Sequence, residues 1–152
     1  LQERVAALLG KEASVFLPSG AMCNQIAICV HVRPGEEVTG ADWSHVFTSE
    51  AGGIAVNAGA QTWPIPSDRG IFTAAALKEA IRVPSRHSPR TALVVVEQTN
   101  NRGGGTVWPL AARVQQRSIP LVGLLTVNLS TTKALGLTIP HAILLRADEV
   151  IE

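Results

Sequence analysis

The chain has 152 residues, 46% of them hydrophobic and 16% charged. That is enough for one core burying roughly 70% of the unfolded chain's surface, and too short for two comfortable domains. Thirteen Lys+Arg against twelve Asp+Glu leave a net charge of +1, which excludes the basic excess of a nucleic-acid binder and the acidic excess of a disordered chain.

Leu1 to Leu9 reads as a helix with Val5, Leu8 and Leu9 on one face, closed by Gly10. It opens with neither an N-cap nor a signal-peptide pattern, so the chain is expected to begin inside a longer protein. Ser14 to Leu17 is a short apolar run read as a strand, and Pro18-Ser19-Gly20 opens a helix from Ala21 to Val32 that stops at Arg33-Pro34-Gly35. Glu37 to Gly40 is a brief strand. Glu50 to Ala58 reads as a helix closed by Gly59, and Gln61 to Ile65 as a strand with Trp63 inward. Ser67 to Gly70 is a turn, and Thr73 is an N-cap for a helix from Ala74 to Arg82. Thr91 to Glu97 is the clearest strand, a continuous apolar run suited to a parallel sheet covered on both faces. Asn100 to Gly105 is a polar loop and Pro109 to Arg117 a short helix; apolar runs follow at Ile119 to Val127 and Ala142 to Leu145. None of these runs reaches the roughly 18 residues of a membrane span.

Strands alternating with helices give an α/β fold with a mostly parallel sheet and helices on both faces. Ligands of such sheets bind at the carboxyl ends of the strands, which singles out the loops 18–21, 41–50, 98–105 and 130–136. In the first, Ser19-Gly20-Ala21 precedes an apolar helix whose initial N–H groups suit a phosphate; Ser19 also serves as a plain N-cap. His45 follows a strand, as an exposed loop histidine or a catalytic one. Glu50, five residues on, can hold an imidazole in one tautomer or favour the start of the next helix. The cluster Glu97 to Arg102 can orient a polar substrate. Lys133, among small hydroxyl residues, is either solvated or an imine-forming lysine. There is no P-loop and no GxGxxG. Cys23 and Cys29, six apart, match no zinc spacing; they read as small hydrophobes of a reduced, cytoplasmic protein with no metal site.

Four segments together carry a resemblance: Ala-Leu-Leu-Gly-Lys-Glu-Ala (7–13), Phe-Leu-Pro-Ser-Gly-Ala-Met-Cys-Asn-Gln (16–25), Ser-His-Val-Phe-Thr-Ser-Glu-Ala-Gly-Gly (44–53) and Val-Glu-Gln-Thr-Asn-Asn-Arg-Gly-Gly-Gly-Thr-Val-Trp-Pro-Leu (96–110). In this order they resemble the threonine aldolases of the pyridoxal-phosphate-dependent β-eliminating lyases. The resemblance implies the aspartate-aminotransferase-type fold, fold type I, with pyridoxal 5'-phosphate as cofactor. It implies retro-aldol cleavage of L-threonine or L-allo-threonine to glycine and acetaldehyde, in glycine biosynthesis and threonine catabolism. Ser19, Gly20 and Ala21 match the turn that cradles the phosphate, with the family's Thr hydroxyl missing at Ala21. His45 matches the histidine that stacks on the cofactor ring near the substrate hydroxyl. Glu50 matches the acid after it, and Asn100 falls where relatives place a second histidine; both are substrate-side positions. Lys133 matches the lysine joined to the cofactor. The residue types suit a reaction in which the cofactor ring takes up the electrons of the breaking Cα–Cβ bond and a base takes the β-hydroxyl proton.

After Leu110 no segment matches the family's His-x-Asp-Gly-Ala-Arg motif, whose Asp pairs with the ring nitrogen and whose Arg holds the substrate. Residues 1–152 are therefore expected to be a partial cofactor-binding large domain, with an internal gap near 120–130 and no small C-terminal domain. The resemblance further implies a homo-oligomer acting on a small amino acid, with no nucleic acid and no membrane as partner. The alternative reading is a non-catalytic remnant, without aldolase activity above background.

Overall fold

The computed structural model describes residues 1–82, 85–109, 122–128 and 149–151. Helix α1 (Gln2–Leu9) and helix α2 (Gly20–His31) precede strand β1 (Glu37–Ala41) and the one-turn helix α3 (His45–Thr48). A π-helical segment (Ile54–Ala58), strand β2 (Gln61–Ile65), helix α4 (Ala74–Ala80) and strand β3 (Thr91–Gln98) follow. Strands β4 (Val122–Asn128) and β5 (Glu149–Ile151) complete one sheet in the order β2-β1-β3-β4-β5. Every neighbouring pair is parallel.

The apolar run of β3 is explained by its two covered faces. Leu93 and Val95 pack with Ile28 of α2, with Val32 just past its end and with Ile54 and Ala58 of the π-helical segment. Val94 and Val96 face the other way, against Ile65, Phe72, Leu77 and Trp108. Phe72 and Trp108 meet edge to face at 4.9 Å. The α/β reading with helices on both faces is thus met: α2 lies on one side, α4 on the other. Gly40 of β1 lets the central strands close up. A Cβ there would lie 2.6 Å from the Val95 carbonyl oxygen and 3.1 Å from a Val95 methyl.

Several local expectations differ. Ser14–Leu17 forms no strand; it is tied to α1 by Ser14 Oγ donating to the Gln2 carbonyl at 2.7 Å and Phe16 N–H to Gln2 Oε1 at 2.7 Å. The helix read from Glu50 starts only at Ile54, because Ala51 (φ 49°) and Gly52 (φ 73°) take left-handed conformations that interrupt it. Trp63 is not inward but 41% exposed. Among the described residues β2 is an edge strand, and the Arg82 guanidinium lies 4.3 Å over the Trp63 ring. The same guanidinium pairs with the fully buried Glu37, which also accepts from Thr91 Oγ1 at 3.0 Å. Gln61 and Ile65 direct their backbone groups at the β1 side, Gln61 N–H to the Glu36 carbonyl and the Ile65 carbonyl to Asp42 N–H. The alternation of a strand therefore turns Pro64, which has no N–H, to the outer side. Beyond Pro109, the expected helix 109–117 lies outside the described residues, as does the run 142–145.

The close approach at Gly40 yields a test. Gly40→Ala is expected to destabilise the fold by about 1–3 kcal/mol, the usual cost of overpacking a closed core, read as a lower urea midpoint. An unchanged midpoint would contradict the packing described.

Candidate active site

The site is built at the carboxyl ends of β1 and β3, against the first turns of α2. Ser19 is the N-cap of α2: its extended backbone (φ −151°, ψ 150°) lets the hydroxyl accept from Met22 N–H at 3.2 Å. Gly20 and Ala21 form the first turn, whose N–H groups point out of the helix without intrahelical acceptors. Ser19 and Ala21 are exposed. The N-cap role is observed, with the Met22 N–H taken up by the Ser19 hydroxyl.

One stripe of α2 faces the sheet. Asn24, Ile28 and Val32 recur at helical spacing and all three are buried. The polar member of this stripe needs a partner, and finds one: Asn24 Nδ2 donates to Glu50 Oε1 at 2.7 Å. Its neighbour Gln25 donates from Nε2 to Glu50 Oε2 at 2.5 Å. His45 Nδ1 lies 2.8 Å from Glu50 Oε1. The Glu50 side chain is 1% exposed and that of His45 37%. Of the two readings of Glu50, the structure gives the contact with the imidazole; Glu50 precedes the π-helical segment and is not in its first turn. Because Asn24 and Gln25 lie in the second turn of α2, this cluster sits about 6 Å along the axis from the helix start.

His45 is also held through its backbone. It opens α3 directly after Ser44, and its N–H donates to Glu97 Oε2 at 2.9 Å. Glu97, near the end of β3, accepts in addition from Asn100 Nδ2 at 3.0 Å and from Asn101 N–H at 3.0 Å. Burial pushes the Glu97 carboxyl above its ordinary value. The Asn101 and His45 amides and the His45 ring oppose that rise, while the charge of Glu50 adds to it. Asn100 is fully buried, and its amide is committed inside the loop: besides Glu97, its Oδ1 accepts from Gly103 N–H at 2.7 Å. Among the described residues its side chain is thus turned toward Glu97 and Gly103. Lys133 lies outside the described residues, as do 120, 121, 129 and 130 of the stretch 120–130, whereas Val122–Asn128 forms β4. Among the described residues no three His, Cys, Asp or Glu side chains form a metal site, Cys23 is half-buried and Cys29 exposed, and no helix is long and apolar enough to cross a membrane.

Asn24 and Gln25 had no role in the sequence reading, although a polar residue on the Ile28–Val32 stripe is a usable signal. The link from Glu97 to the His45 backbone has no local signal, since it spans 52 residues.

The raised carboxyl of Glu97 has a pH consequence. Its folded form stays protonated above the ordinary 4.5, so the native state binds more protons than the unfolded chain there, and this residue's contribution to stability falls as pH rises. Glu97→Gln removes that slope. Denaturation of both proteins from pH 4.5 upward, below the histidine range, is expected to show their difference moving in favour of the variant. A difference that stays flat, or moves the other way, would contradict the buried placement.

The family model described as beta-eliminating lyase matches residues 1–119. The chain is 35% identical over 114 residues to a probable low-specificity L-threonine aldolase 2 of Arabidopsis thaliana, covering 72% of this chain and 32% of that protein. It is 36% identical over 110 residues to the low specificity L-threonine aldolase of Escherichia coli K12, again 72% and 32%. The chain thus spans about a third of the length of these curated relatives. Its fold matches that of a Leishmania major threonine aldolase with a TM-score of 0.71 at 24% identity, over 80% of this chain and 37% of the other. A serine palmitoyltransferase of Sphingomonas wittichii gives 0.61 at 16% identity, over 84% and 29%. The chain, a partial α/β domain, belongs to the beta-eliminating lyase family.

Proposed function

We propose that the chain supplies the cofactor-holding part of a pyridoxal-phosphate-dependent lyase of the threonine-aldolase type. One observation carries this reading: a buried carboxylate, Glu50, holds Nδ1 of a part-exposed imidazole, His45, against the helix whose first turn is free to take a phosphate. The names of the relatives support it.

The residues fit pyridoxal phosphate in chemical kind. The exposed turn Ser19-Gly20-Ala21 offers a hydroxyl, helix N–H groups and the positive end of the helix dipole to the phosphate. His45 offers a flat ring for the cofactor face, and Lys133 is the amine proposed to join the cofactor. When bound, pyridoxal phosphate supplies the electron sink for the Cα–Cβ bond that breaks. The chain's own part is to hold and orient. The Glu50 carboxyl oxygen, as an acceptor, keeps a proton on His45 Nδ1, so Nε2 is left as the atom that takes and returns a proton at the substrate hydroxyl. Glu97 fixes the His45 backbone. Asn100 is proposed to shape the loop that holds Glu97.

The proposed substrate is L-threonine or L-allo-threonine, cleaved to glycine and acetaldehyde, which places the protein in threonine breakdown and glycine formation. A cytoplasmic location and a homo-oligomer are part of the same proposal.

The test uses the purified chain mixed with pyridoxal phosphate. A visible absorbance band is expected, lost in Lys133→Ala. Glycine is expected from L-threonine or L-allo-threonine, and His45→Ala should lower its release by about 10²–10⁴-fold, the usual share of a general acid–base group. A band that survives Lys133→Ala would overturn the lysine assignment. No glycine from a chain that holds the cofactor would favour the non-catalytic reading.

A further inference from the structure

Among the described residues the Glu50 carboxylate has three side-chain partners, and their chemistry fixes more than its position. Primary amide nitrogens can only donate, so both Glu50 oxygens act as acceptors toward α2. Oε1 is shared between Asn24 Nδ2 and His45 Nδ1. An acceptor facing His45 requires hydrogen on Nδ1. Gln25 is itself oriented: its Oε1 accepts from Asn57 Nδ2 at 3.1 Å, which leaves Nε2 for Glu50. Its reach depends on Gly53, where a Cβ would fall 2.6 Å from Gln25 Cδ. The chain of contacts therefore runs from Asn57 through Gln25 and Glu50 to the ring of His45.

We propose that Asn24 and Gln25 are positioning residues for His45. Their amides hold the Glu50 carboxylate against Nδ1 and so tie the imidazole to α2, the helix whose first turn would hold the cofactor phosphate. The purpose of this tie rests on the cofactor reading above; the tie itself is a property of the chain. It makes ring orientation and phosphate site one rigid unit, because both hang on neighbouring turns of a single helix. Without the amides, the carboxylate and a histidine at a strand exit would each choose among several rotamers.

The test reads the ring nitrogens of His45 by ¹⁵N NMR in the full chain, with His45→Asn used to assign its signals among the four histidines. In the neutral ring, the Nδ1–H form is expected to dominate, against the Nε2–H form that free histidine favours. Gln25→Ala should lower the Nδ1–H to Nε2–H ratio by about tenfold, on the scale of a lost hydrogen bond to a charged group. Gly53→Ala, which changes no polar atom, should lower it in the same direction by displacing Gln25. Backbone amide spectra establish that each variant is folded, and Asn24→Ala stands in for either that is not. A ratio unchanged in the folded variants would overturn the proposal. Added pyridoxal phosphate should shift the His45 signals of the unsubstituted chain. If it does not, while Gln25→Ala still changes the tautomer, the positioning role stands and the cofactor reading falls.

Discussion

A carboxylate taken out of water must be repaid with donors, or its desolvation costs several kcal/mol. Glu50 is in that position, and the neighbourhood is arranged around it. Two amides come from α2 and one ring nitrogen from the exit of β1. The chain turns sharply after Glu50 through two left-handed residues, one of them the non-glycine Ala51, a conformation that carries strain. That turn delays the following helix until Ile54, while Ile54 and Ala58 still pack on β3 and α2. The irregularity is thus local to the carboxylate, and the core beyond it is ordinary.

The same histidine is gripped from a second direction. Glu97 takes its backbone N–H, and with it the amides of Asn100 and Asn101. Glu50 therefore governs the ring and Glu97 the main chain. The two acids sit on different segments, so His45 is fixed where the exits of β1 and β3 meet. A parallel sheet brings those exits to one end, and the cover on both faces leaves that end as the place where polar side chains gather.

Much of this was legible in the residues. The all-apolar stretch of β3 announced a strand buried on two sides, and Thr73 announced the start of α4, where its hydroxyl accepts from Ala76 N–H. Ser19 and Glu50 were each visible with two readings, and local pattern could not choose between them. The contact with His45 decides Glu50, and what holds the carboxylate there includes a contact across 26 residues with Asn24, which no window of sequence contains. Trp63 was misread for a related reason: alternation says that a strand has two faces, but not that the strand lies at the edge of its sheet. Ser14–Leu17 is apolar enough for a strand, yet the Ser14 hydroxyl and the Phe16 N–H are both taken by Gln2. Lys133 falls on residues that the structure does not describe, so it rests on the resemblance alone.

Pro64 has an effect beyond its own strand. Its nitrogen faces the outer side of β2, where an approaching strand from another molecule would look for donors. A missing donor at the fourth position of a five-residue strand interrupts a ladder that could be added there. Arg82, spread over the neighbouring Trp63 ring, places a positive charge beside that edge. Along the edge that the described residues form, both features disfavour the addition of a further strand on this side.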